Sequence, residues 1–207
     1  MNLTRIVSLV IVACLCLGPV AYGADQAAGA NPAAVKKTIQ ICAVCHGAHG
    51  QSISPTFPNL AAQRAPYIEE QLKSFKDQTR GDPDAQAYMW GMASQLSDGM
   101  ITQLADYFAA QPPPPGHAGP RALVAEGKKL FTQGLPARGI PPCASCHGAD
   151  AAGRAAFPRL AGQHAPYLLK QLISIQNVLR LAPVMHGVIK DMTREQMQAV
   201  VVYLESI

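Results

Sequence analysis

Cys42-Ala43-Val44-Cys45-His46 and Cys143-Ala144-Ser145-Cys146-His147 are one pattern written twice in a chain of 207 residues, and each is followed by glycine. The pattern sits inside a longer duplication. Phe57-Pro58-Asn59-Leu60-Ala61-Ala62-Gln63-Arg64-Ala65-Pro66-Tyr67 returns as Phe157-Pro158-Arg159-Leu160-Ala161-Gly162-Gln163-His164-Ala165-Pro166-Tyr167 at an offset of 100, and Gln71-Leu72 returns as Gln171-Leu172. The cysteine motifs stand 101 apart, which requires one inserted residue, and Leu96-Ser97 aligns with Met192-Thr193 at an offset of 96. The second copy is therefore shorter before its last helix. Two copies at this period mean two domains rather than a solenoid.

The boundaries follow from composition. Pro112-Pro113-Pro114-Pro115-Gly116 cannot continue a helix and favours a stiff, extended spacer that holds two domains at a defined separation. We place the domains at residues 24–111 and 120–207, with residues 112–119 as linker. Ahead of them, Arg5, the apolar run Ile6–Leu17 and the small residues of Ala21-Tyr22-Gly23 have the layout of a signal peptide over residues 1–23. The run is short for a bilayer span. A leader of this kind directs the mature chain to the periplasm. Cys14 and Cys16 leave with it, so the four remaining cysteines all belong to the two motifs and none is spare for a structural disulfide.

Each copy reads as helical. Asn31-Pro32 has the form of an N-cap followed by proline at the first helical position, opening a helix through Val35 and Ile39 toward Cys42. Pro120 opens a helix through Leu123, Leu130 and Phe131 that stops at Gly134. Pro66 and Pro166 open the next pair, and Ser97 and Thr193 cap the last pair, Thr193 with Gln196 in a capping box. No stretch alternates long enough for a strand. The fold class is all-α.

Cys-x-x-Cys-His is a haem attachment pattern with a physical cause. Two thiols add across the two vinyl groups of one haem, and the adjacent histidine lies under the iron. A thioredoxin-like pair needs a βαβ context, which is missing, and a zinc site would recruit all four cysteines. We read Cys42, Cys45, Cys143 and Cys146 as thioether positions for two covalently attached haem c groups, with His46 and His147 as proximal iron ligands. A thioether is the usual second ligand in electron carriers. Met89 lies seven residues before Leu96 and Met185 seven before Met192, so these two methionines match across the copies, whereas Met92 aligns with Val188 and Met100 with Gln196. His186, beside Met185, is the rival ligand. Pro58 and Pro158 keep carbonyls that can accept from the proximal histidines. His49, His117 and His164 have no counterpart and read as surface residues; His164 and Arg64 are candidates to lie near a propionate.

Charge separates the copies. Asp25–Gln111 holds six Lys/Arg and eight Asp/Glu, whereas His117–Ile207 holds ten Lys/Arg and five Asp/Glu. A chain with such ends orients differently toward differently charged partners. No basic tract is interleaved with aromatics, which argues against nucleic acid.

Together the paired motifs, the two Phe-Pro-x-Leu-Ala-x-Gln segments, Met89 and Met185, Ser97-Asp98 and Ala109-Ala110-Gln111 resemble the di-haem cytochrome c4 family. The resemblance spans the mature chain. It implies two tandem class I cytochrome c folds, haems near the domain interface with propionates facing each other across it, and a periplasmic carrier, often membrane-associated, serving a terminal oxidase. The expected activity is electron transfer between redox protein partners, from a quinol-oxidising complex or another donor, without catalysis. The alternative is the cytochrome subunit of a dehydrogenase, such as a flavocytochrome that oxidises sulfide. Two departures stand out: the shortened stretch before Met185, and His164 in place of Arg64.

Overall fold

The computed structural model describes residues 30–207; the signal peptide expected at residues 1–23 lies outside them. Regular structure among the described residues is helical, apart from two isolated bridges, Leu135–Ile140 and Arg154–Phe157. In the first domain Asn31 accepts from the Ala33 N–H at 2.9 Å and starts α1 (Pro32–His46), which carries the cysteine motif in its last turns. The helix stops at Gly47, with φ of 77°, where a Cβ would sit 1.9 Å from the Gln51 carbonyl oxygen. There follow α2 (Ala65–Lys76), a π-helical turn (Ala85–Met89) running into α3 (Trp90–Ala93), and α4 (Asp98–Ala109), capped by Ser97.

The second domain repeats this plan with two changes. Helix α5 (Arg121–Gln133) stops at Gly134, and residues 134–142 intervene before Cys143 and the short α6 (Ala144–His147). After α7 (Ala165–Gln176), α8 (Pro183–Ile189) reaches Met185 with no π-helical turn. The residues the second copy lacks before Met185 are thus those that widen the helix before Met89. Helix α9 (Arg194–Glu205) carries the expected capping box between Thr193 and Gln196.

Burial follows the helical periodicity. In the second domain Phe131, Leu168, Ile175, Met197, Val201 and Leu204 belong to one core cluster. The first domain has two smaller clusters, Ile68, Leu104, Ala105 and Phe108, and Phe75, Ala85 and Ala93, with Leu72 and Leu96 packed against both. No described helix is long and apolar enough to cross a membrane.

The proline run does not hold the domains apart. The two domains touch directly, and the linker lies along them. Pro114 is buried, the Gln51 amide donates to the Pro112 carbonyl at 3.2 Å, and the His117 N–H donates to the Glu205 carbonyl at 2.8 Å. Proline lacks an N–H but keeps a strong carbonyl acceptor, so the strand is strapped down by a donor from Gln51 at Pro112 and by its own next N–H, at His117, donating to Glu205.

Helices α5 and α9 cross at Gly127, where an added Cβ would lie 2.0 Å from the Ala199 carbonyl oxygen. Gly127→Ala is expected to push them apart and destabilise the second domain by about 1–3 kcal/mol. Denaturant unfolding measures this, and wild-type stability in the variant would refute so close a crossing.

Candidate functional site

The motif histidines are buried and held identically. His46 Nδ1 lies 2.9 Å from the Pro58 carbonyl oxygen, and His147 Nδ1 lies 3.1 Å from that of Pro158. With Nδ1–H donating to a carbonyl, the Nε2 lone pair is free to bind a metal. Burial pulls the pKa of both imidazoles down, against the opposing pull of the proline carbonyls, so both stay neutral and able to ligate. Phe57 and Phe157 meet these rings edge-on, at centroid distances of 6.1 and 6.2 Å. The first residue of each Phe-Pro-x-Leu segment thus props the histidine whose proton the second residue holds.

Both histidines face a cavity of about 930 Å³ that runs through both domains and is mostly apolar. Cys42, Cys143 and Cys146 line it, as do Met89 and Met185. Cys45 is exposed at the end of α1, one residue before His46. Burial pushes the Cys42 thiol up and the Cys143 thiol up to about 11, so neither is a standing thiolate. Among the described residues no three His, Cys, Asp or Glu side chains gather to hold a metal ion. Met92, Met100 and Met192 also reach the cavity, so contact with it does not by itself select a ligand. His186 does not line it and places Nδ1 3.0 Å from the Ile175 carbonyl oxygen.

The two halves of the cavity are joined by a reciprocal clasp. The Gln63 amide accepts from the Arg159 N–H at 2.7 Å and donates to the Arg159 carbonyl at 3.0 Å. Gln163 does the same to Asn59, at 2.9 Å each way. A second layer pairs Arg80 and Arg180. Arg80 donates to Gln71 at 2.8 Å and across the interface to Gln171 at 2.7 Å; Arg180 donates to Gln171 at 2.8 Å and across to Gln71 at 3.0 Å and Tyr67 at 2.7 Å. These arginines are 6% and 9% exposed, and one buried carboxylate, Asp82, accompanies them, 2.8 Å from Arg80 Nε.

In the sequence this layer is marked only by spacing: Arg80 and Arg180 stand at the same offset of 100 as the motif around them. That offset was the available signal. His164 corrects the surface reading: it is buried, with Nε2 2.9 Å from the Ser52 carbonyl oxygen and Glu205 3.9 Å from Nδ1. Its counterpart Arg64 is exposed, because the matching position in the first domain does not face the same partner groups. His49 and His117 are exposed as expected.

The site fits a large, flat, mostly apolar cofactor with an anionic edge. It supplies thiols, neutral imidazoles, thioethers, apolar walls and, at the domain interface, buried positive charge in excess of Asp82. Buried charge needs a partner, and the propionates of a haem are of the right sign.

A cytochrome c family model matches residues 33–111 and again 124–207. The chain is 36% identical to cytochrome c4 of Pseudomonas aeruginosa over 88% of its own length and 89% of that protein. It is 36% identical to the thiosulfate dehydrogenase electron acceptor of Thiomonas intermedia, over 86% and 83%. The solved structure of Acidithiobacillus ferrooxidans cytochrome c4 superposes with a TM-score of 0.77 at 43% identity, covering 81% of this chain and 99% of that one.

Removing both clasp amides, Gln63→Ala with Gln163→Ala, strips Asn59 and Arg159 of both backbone partners. The interface should weaken by about 1–3 kcal/mol for each group left unsatisfied, seen as faster proteolysis within residues 112–119 and a larger radius of gyration. Acid should act on the same interface. Burial pushes the Asp82 carboxyl up, but Arg80, its hydrogen bond, that from Gln171 and the charge of Arg180 together hold it below its ordinary value. Its contribution is therefore full above the ordinary pKa near about 4 and is lost as pH falls through the lower folded-state value. Proteolysis of the linker against pH measures this.

Proposed function

Because the chain belongs to the di-haem cytochrome c4 family and carries two covalently attached haem c groups, we propose that it is a periplasmic shuttle between respiratory redox proteins. A quinol-oxidising complex or another donor loads it, and a terminal oxidase or another acceptor unloads it. Its relatives are electron-transfer proteins rather than enzymes. The observation that carries the reading is the matched pair of buried histidines, each fixed by a proline carbonyl and facing one cavity with a matched methionine.

In this reading Cys42, Cys45, Cys143 and Cys146 would hold the cofactors as thioethers, and His46, Met89, His147 and Met185 would ligate the irons. A haem held there would supply an iron able to take up and give back one electron. His46 with Met89 and His147 with Met185 would hold the irons and leave no open place for oxygen or peroxide, and the apolar walls exclude water. Histidine and methionine together favour ferrous iron and a raised potential. The clasp sets the distance between the two sites, so an electron entering one domain can leave from the other. The opposite charge of the two domains lets donor and acceptor dock at different ends. Peripheral attachment to the membrane surface is compatible with the basic second domain.

A second reading has a specific observation behind it: the likeness to the Thiomonas electron acceptor favours service to a dehydrogenase in a stable complex, whether that enzyme oxidises thiosulfate or sulfide. Purification from the native host decides between free carrier and subunit.

The ligand assignment is tested by redox titration with optical spectra of wild type, Met89→Ala and Met185→Ala. Each variant should lose half of the methionine-to-iron band at the red end of the spectrum and lower one midpoint. A full band in both variants would refute the assignment.

A further inference from the structure

In the layer behind the clasp the two copies match at Tyr67 and Tyr167, Gln71 and Gln171, Arg80 and Arg180, and Pro83 and Pro183. Their charges differ at several positions nearby: Asn59 against Arg159 in the clasp, Glu69, Glu70, Lys73, Lys76 and Asp77, none of them buried, along α2, and two positions just after Arg80. Asp84 faces Val184, but it is over a third exposed and paired with Lys170 across the interface, so solvent and partner both mute it. Asp82 faces Ala182, and Asp82 is 2% exposed. Its carboxylate is 2.8 Å from Arg80 Nε and 3.4 Å from the Gln171 amide nitrogen, and it reaches the wall of the cavity.

Arg180, by contrast, meets only neutral acceptors: Gln171, Gln71 and Tyr67. The first domain's guanidinium is thus hydrogen-bonded to a carboxylate, whereas the second's feels that carboxylate only through its charge. Local structure ties Asp82 to the first site. The Gln86 N–H donates to the Asp82 carbonyl at 3.1 Å, opening the turn that ends at Met89. The Arg80 guanidinium lies 4.7 Å above the Phe75 ring, and Phe75 belongs to the cluster that Met89 packs against. The Trp90 indole donates to the Arg80 carbonyl at 2.8 Å, fixing the arginine to the helix after Met89. A buried charge is weakly screened and acts over a longer range than a surface one.

We propose that Asp82 is the residue that separates the two reduction potentials: its buried carboxylate, absent from the second copy, holds the first-domain haem more reducing than the second. Negative charge near an iron favours the ferric state, and uncompensated positive charge favours the ferrous one. Asp82 is a positioning and tuning residue; it ligates no iron. The inference rests on the haem and ligand reading given above.

The test is a redox titration of the full-length holoprotein, with each midpoint assigned by the NMR signal of its ligand methionine methyl. In Asp82→Asn the first-domain ferrous-to-ferric ratio at fixed potential should rise about tenfold, equivalent to roughly 59 mV for one electron, while the second-domain midpoint moves less and the gap narrows. Ala182→Asp, placing a carboxylate before Pro183 as Asp82 stands before Pro83, should lower the second-domain midpoint. Unchanged midpoints in a folded Asp82→Asn, or a larger shift in the second domain, would overturn the inference. If Asp82→Asn loosens the interface, shown by cleavage of the linker, Ala182→Asp decides alone: no fall in the second midpoint overturns it. Wild type lacking the methionine-to-iron band would instead refute the ligand reading.

Discussion

Gln63 and Gln163 each satisfy both main-chain polar groups of one residue in the opposite domain. Pairing through a side-chain amide is directional, so it fixes rotation as well as contact. Because each glutamine follows the Phe-Pro-x-Leu segment of its own copy, the interaction that joins the domains is continuous with the segment that orients His46 and His147. Two sites that could have floated on a tether are therefore held in one frame. The proline strand beside them adds connection without setting the geometry.

An isologous contact presents the same patch from both partners. Here a tandem repeat makes such a contact within one chain. The layer behind the glutamines follows the same logic, with Arg80 and Arg180 crossing between Gln71 and Gln171. Symmetry of this kind makes two equivalent electron sites. Direction requires breaking it, and the departures are few: Asp82 against Ala182, His164 against Arg64, residues 134–142 before Cys143, and the π-helical turn before Met89. The first changes buried charge, the second adds a contact at the interface, and the last two change how each domain reaches its cysteine and its methionine.

Much of this was legible in the residues. Cys-x-x-Cys-His specifies its cofactor by its own chemistry. Proline at helix starts, the Thr193–Gln196 box and glycine at helix ends are local signals, and the helices begin and end where those signals stand. Matching the copies singled out Met89 and Met185 and pointed to the proline carbonyls that hold the histidines. All of these depend on neighbours in sequence or on the repeat, so no knowledge of packing was needed.

Three features were decided only in three dimensions. His164 is buried because Ser52, 112 residues away in the chain, turns its carbonyl toward it. Arg80 and Arg180 form a layer because the domains close face to face; their shared offset marks them as a pair but says nothing of burial. The proline run lies along the domains because Gln51 and Glu205 bring polar groups to it. Sequence by itself determined what each domain is and what it binds, since attachment chemistry and helix capping are local. Tertiary structure alone decided how the domains face each other and which charges are removed from water, since burial depends on contacts between residues about a hundred positions apart.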